Sequence, residues 1–216
     1  MPPASMSADR SGTHKHRKPA RMLAAKRTRA ADQDGADGHD GHHHHEHELI
    51  TTVILNFAAV DGDDVSATWT NISGEAVIDD IVLSDATDYE LTFEILNEEE
   101  TPAEEVHLEI ADEDDEHQVF FQGSAVVGPA TGDNADAVVE QVYVDEDVNG
   151  LPVGLVNDIL TLGTGSGEFT VTLRHMPLQN GESIKTASAA DDVAANGLGA
   201  IGGDNDFSID FSLTVE

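Results

Sequence analysis

From Leu49 onward the chain alternates with a period of two. Leu49, Thr51, Val53, Leu55 and Phe57 fall on one face, and Ile50, Thr52, Ile54 and Asn56 on the other. Both sets are fairly apolar, which predicts a strand covered on two sides. The acidic, glycine-containing stretch 60–64 reads as a turn. Val65, Ala67 and Trp69 then alternate with Ser66, Thr68 and Thr70, and a third strand is expected over 76–83. Tyr89, Leu91, Phe93 and Ile95 alternate with Glu90, Thr92 and Glu94, the signature of a half-buried strand. Further strands are expected over 117–122, 138–144, 169–175 and 207–215. In the last, Phe207, Ile209, Phe211, Leu213 and Val215 share a face.

One segment changes period. In "TPAEEVHLEIADEDDEH", Thr101 is placed to cap a helix, with Pro102 in its first position and Glu104 completing a capping box. Glu105 adds negative charge to the first turn, where the helix dipole favours it. Ala103, Val106 and Ile110 form a narrow apolar stripe, so one short helix is expected near residues 102–115. The competing reading takes Val106, Leu108 and Ile110 as a strand. Eight strands and one helix, separated by Gly- and Asp-rich loops, predict an all-β domain over 48–216. The expected form is an antiparallel β-sandwich, Ig-like or jelly-roll-like.

The first 48 residues have no such periodicity. Residues 1–30 are rich in Arg, Lys, Pro and Ala, and their longest apolar run, "MLAA", is too short for the core of a secretory leader. The alternatives are a basic arm for nucleic acid, a transit peptide lacking an amphipathic face, and a start placed too far upstream or in the wrong frame, hiding a true leader. The last is the favoured expectation. Residues 31–47 are low-complexity Asp, Gly and His, which predicts a disordered tether.

Charge sharpens the picture. Of 43 acidic and 10 basic residues, eight basic ones lie at or before Arg29. Residues 30–216 therefore hold 42 acids against Arg174 and Lys185, a formal charge of −40. Self-repulsion of that size destabilises a compact state in dilute salt and is screened over about 10 Å at 0.1 M. It disfavours nucleic acid and anionic lipid as partners of the body. The acids are spread through every segment, which predicts adaptation to high salt; the alternatives are disorder and a cation-binding surface. The absence of cysteine excludes disulfides and thiolate metal sites. No apolar run approaches the ~20 residues of a membrane helix.

Three groups carry candidate chemistry. His39, His42, His43, His44, His45 and His47, interleaved with Asp40, Glu46 and Glu48, offer imidazoles suited to Zn²⁺, Cu²⁺ or Ni²⁺ with auxiliary carboxylates. A solvated leader without a role and a purification tag are the bland alternatives. "DEDVNG" (residues 145–150) has the spacing of a calcium loop: Asp145, Asp147 and Asn149 offer oxygens and Gly150 permits a sharp turn. Val156 stands where an EF-hand has its closing Glu, so an acidic β-turn is the stronger reading. His107, His117 and His175 form a scattered trio, better read as separate structural residues than as a third metal site. No nucleophile elbow, zincin, Walker or dinucleotide motif is present. The expected protein is not an enzyme.

The blocks "HEHELITTVILNF", "YELTFEILNEEETPAEEVHLEIADEDDEHQVFFQ", "NGLPVGL", "FTVTLRHMP" and "GGDNDFSIDFSLTVE" carry a resemblance over about residues 39–216. In order and content they resemble a group of small secreted proteins or lipoproteins of Bacteroidota and relatives, often labelled type 1 periplasmic binding fold superfamily proteins. That label names two α/β lobes, whereas the pattern here predicts one β-domain. Members commonly carry a lipobox cysteine followed by an acidic, often His-rich tether; no cysteine is present here. The resemblance implies an extracytoplasmic location: periplasm, cell surface or secreted. The resulting expectation is metal capture or delivery at the cell envelope, serving an uptake system and its outer-membrane receptor. The alternative is a structural or adhesive surface module that binds protein or glycan, assisted by Ca²⁺.

Overall fold

The structure, a computed structural model, describes residues 49–216. In chain order its elements are β1 (Thr52–Ala59), β2 (Val65–Thr70), β3 (Val77–Ile78), β4 (Ile81–Leu83), β5 (Asp88–Asn97), β6 (Glu104–Glu105) and α1 (Val106–Asp112). There follow β7 (His117–Gln122), β8 (Val126–Val127), β9 (Val139–Tyr143), β10 (Val156–Thr161), β11 (Gly165–His175), α2 (Ala189–Asn196), a 3₁₀ turn (Leu198–Ala200) and β12 (Asp204–Val215).

The strands form two sheets. The larger runs β3-β2-β1-β5-β10-β9-β8, with β6 added beside β5, and curls as a half-barrel. The smaller runs β4-β12-β11-β7. Their inner faces supply one core. Leu55, Phe57, Leu91, Phe93 and Ile95 from the larger sheet meet Phe121, Phe169, Val171 and Phe211 from the smaller. Phe121 sits between the layers, its ring 6.2 Å from Phe93, 5.7 Å from Phe169 and 6.3 Å from Tyr143. Aromatics are sparse, yet all seven phenylalanines are buried. Each contributes roughly 1.5–3 kcal/mol by leaving water.

The alternation of β5 and β12 is realised as read: Tyr89, Leu91, Phe93 and Ile95, and Phe207, Ile209, Phe211, Leu213 and Val215, are buried, with polar neighbours outward. Strand β1 differs from expectation. Val53, Leu55 and Phe57 are fully buried, but Ile54 and Asn56 are only half-buried, so its second face is partly open. The expected third strand is two. Val77–Ile78 pairs with β2, and Ile81–Leu83 crosses to the other layer, where it pairs parallel with β12. The switch falls at Asp79 and Asp80, and the Asp79 carboxylate accepts a hydrogen bond from the Thr68 N–H at 3.0 Å. With β8 parallel to β9 as well, both sheets are mixed rather than purely antiparallel.

The helix expected near 102–115 begins only at Val106. Glu104 and Glu105 pair as a strand with Asn97 and Leu96 of β5, which claims their backbone before the helix can start. The Asn97 amide also donates to Glu104 at 3.1 Å, and the Thr101–Pro102 peptide is cis. Val106 and Ile110 then bury against the core. A second helix, α2, was not legible: "AADDVAAN" is short and built of small residues. It covers the outer face of the smaller sheet, where Phe120 packs against Ala130, Ala189 and Val193. That is why β7 is buried on both faces. Among the described residues no helix is long and apolar enough to cross a membrane.

Candidate functional site

The polar interior gathers at one end of the smaller sheet. Here β7 begins, β11 ends, and the loops 145–153 and 183–185 close over them. The antiparallel register pairs His117 with His175 directly. Their rings stack, with centroids 4.6 Å apart and planes 12° from parallel. A bulge in β12 completes the cluster. Leu173 faces Phe207 and Arg174 faces Asn205, so Asp206 is the extra residue, and its carboxylate lies 3.9 Å from His117 Nε2. Bulges redirect side chains in this way. On the other side Glu116 Oε2 lies 3.8 Å from His175 Nε2 and accepts a hydrogen bond from the Leu178 N–H at 3.1 Å.

His117 is 2% exposed. Its Nδ1 lies 3.1 Å from the Glu113 carbonyl, which can only accept, so Nδ1 carries the proton and donates. Burial, with smaller contributions from His175 and Lys185, lowers its pKa to about 4, against the pull of the Glu113 carbonyl and Glu116. The ring is neutral at pH 7. Of the expected trio, then, the fold brings two together and not the third. His107 Nδ1 sits 3.3–3.4 Å from the Ile95 backbone, on the contact between α1 and β5. The pair is poorly arranged for a metal. Imidazole lone pairs lie in the ring plane, and those of near-parallel stacked rings do not converge on one point. Among the described residues no group of three or more His, Asp or Glu is placed to hold a metal ion.

The expected calcium loop lies beside this cluster, with its two carboxylates already engaged. Asp145 accepts hydrogen bonds from the N–H groups of Gly154 (2.8 Å) and Leu155 (2.9 Å). Asp147 Oδ1 accepts from the N–H groups of Asn149 (2.8 Å) and Leu151 (2.9 Å), and Gly150 takes φ +77°, as a tight turn there requires. Asn149 contributes backbone to that turn. The cation beside the loop is a side chain: Lys185 Nζ stands 3.1 Å from Asp147 Oδ2, both side chains being fully buried. Nζ also donates to the carbonyls of Asp114 and His117, each at 2.9 Å. The acidic-turn reading therefore describes residues 145–150 better than the Ca²⁺ reading. Burial lowers the Lys185 pKa and raises those of Asp145 and Asp114, Asp147 adding to the rise of Asp114.

Lys185 and Asp206 were missed in the sequence. The signal for Lys185 was its rarity, as one of two cations after residue 30. The other, Arg174, is also used internally. Its guanidinium donates to the carbonyls of Gly202 (3.0 Å) and Ile201 (3.3 Å) and to the Asn205 side chain (2.8 Å). Both cations thus fasten loops, and among the described residues no other Lys or Arg stands against the acids. The candidate ligands His39, His42, His43, His44, His45 and His47 lie outside the described residues. No protein-family model, curated protein or solved structure matches the chain.

Proposed function

We propose that the protein is a non-catalytic, extracytoplasmic binding protein that captures or delivers a divalent metal at the cell envelope. Zn²⁺, Cu²⁺ or Ni²⁺ would be held by the tract His39–His47 and passed to an uptake receptor. The observation that carries the reading is the position of this tract. Six imidazoles and three carboxylates lie within residues 39–48, immediately before a strand that belongs to the centre of the larger sheet. The three histidines of the folded body are engaged with its backbone, with each other or with its carboxylates. A low-complexity ligand tract gives labile binding, which suits delivery better than permanent storage. The resemblance to secreted proteins with His-rich tethers supports the location.

The rival reading, a Ca²⁺-assisted surface module, finds less support because Lys185 already faces Asp147. Calorimetric titration of Zn²⁺, Cu²⁺ and Ni²⁺ tests the proposal, on the untagged full chain and on a chain beginning at Glu48. The full chain is expected to bind and the shorter one to lose that binding while folding normally. Equal affinity in both would remove the tract from the mechanism.

A further inference from the structure

We propose that Lys185 and Asp147 become joined by an intramolecular isopeptide bond, a covalent staple in a chain that has no cysteine. The two side chains are completely shielded from water, with Nζ 3.1 Å from Oδ2. An ordinary buried ion pair at that distance aligns its N–H on the carboxylate oxygen. Here Nζ meets Oδ2 off the line of a well-formed hydrogen bond, while its better-aligned bonds go to two backbone carbonyls.

The other contacts suit an amine approaching a carboxyl carbon. A neutral lysine amine has two N–H groups and one lone pair. Two carbonyls, of Asp114 and His117, accept from Nζ at 2.9 Å each, and the remaining direction faces Asp147. Burial favours the neutral amine and outweighs the contact with Asp147 and the charges of the neighbouring carboxylates, which favour the ammonium. On the acid, Oδ1 is held by two backbone N–H groups, from Asn149 at 2.8 Å and Leu151 at 2.9 Å. Paired N–H donors of this kind stabilise the negative charge that develops on a carbonyl oxygen during acyl transfer. Oδ2, free of such donors, is the oxygen placed to leave.

The step balances without a co-reactant. Within the pair, one proton passes from the ammonium to Oδ2, leaving an amine and a carboxylic acid. The Nζ lone pair attacks Cγ, and charge collects on Oδ1 between the two N–H groups. The C–Oδ2 bond then breaks, and Oδ2 departs as water with its own proton and one from nitrogen. The product is a secondary amide and one water, with no change of oxidation state. The amide would tie the loop between β9 and β10 to the segment entering α2. Cross-links of this kind stabilise chiefly by restricting the unfolded chain, as disulfides do.

Mass spectrometry of the full chain decides the matter. The intact protein is expected to be lighter than its sequence mass by one water. A digest should contain a branched peptide joining the segments around 147 and 185, with fragment ions placing the link on those residues. Lys185→Met and Asp147→Ala should each restore the sequence mass, read under denaturing conditions so that folding is not at issue. Two results would overturn the proposal: wild-type protein at its full sequence mass with separate linear peptides, or a water loss that persists in Lys185→Met, as a succinimide at an Asp-Gly step would give.

Discussion

His117 and His175 stack ring on ring, 4.6 Å apart, because the register of β7 and β11 sets them directly opposite each other. Asp206 flanks one ring and Glu116 the other. Protonating His117 would place a charge in a site that is 2% exposed.

This fixes a pH dependence. The His117 pKa is about 6.5 in the unfolded chain and about 4 in the folded one, chiefly through burial. Between those values the unfolded chain binds more protons, so stability is full above pH 6.5 and is lost as pH falls toward 4. The whole contribution is about 3 kcal/mol at ~1.4 kcal/mol per unit. The half-buried carboxyls of Asp145 and Asp114, with raised pKa values, act in the opposite sense at the acid end. Urea midpoints measured from pH 7.5 to 4.5 should fall for the wild type and fall less steeply for His117→Gln. Parallel slopes would assign the acid sensitivity elsewhere.

Lys185→Met removes the proposed amide and leaves the Asp147 carboxylate buried without its partner, beside two carbonyls that have lost their donor. Stranding one member of a buried pair costs about 3–5 kcal/mol, and the lost cross-link adds to that. Lys185→Met/Asp147→Leu also removes the stranded carboxylate and should recover part of that loss. Chemical denaturation of the two single variants and the double one gives the coupling. Additive losses would show that the residues act independently.

Gly203 is expected to tolerate no side chain. It adopts φ +85°, and a Cβ there would sit 2.0 Å from the carbonyl oxygen of His175. Gly203→Ala must push apart β11 and the start of β12, next to the histidine stack, and should destabilise by more than ~1 kcal/mol. Gly199→Ala, which meets nothing within 4 Å, is the control and should be close to neutral. Thermal melts of the two variants make the comparison.

Salt should stabilise the domain. Residues 49–216 carry 36 acids, while Lys185 is buried and Arg174 is fastened to the 201–205 loop. Repulsion among the surface carboxylates is left to solvent cations to screen. The unfolding midpoint should rise as NaCl or KCl is increased toward molar concentrations. A flat response would count against high-salt adaptation.

The sequence was informative where one face of a strand is buried and the other wet. At 89–95 and 207–215 hydrophobic alternation named the strands and their inward residues, because a period of two has only one amphipathic solution. It failed where partners override local preference. Thr101, Pro102 and Glu104 form a sound helix start, yet β5 took Glu104 and Glu105 into its edge. Residues 76–83 read as one strand because nothing local reveals that Ile81–Leu83 will find β12 in the opposite layer.

The same divide runs through the site. Composition and spacing already established a cysteine-free, intensely acidic β-domain, a histidine tract before its first strand, and an acidic turn at 145–150. These are properties of neighbouring residues, and neighbours along the chain stay neighbours in the fold. That His117 meets His175, that a bulge sets Asp206 beside them, and that Lys185 reaches Asp147 and the His117 carbonyl were decided by strand register and loop closure. Those contacts join distant segments, and their strength comes from burial, which exists only once both layers and α2 have closed over them.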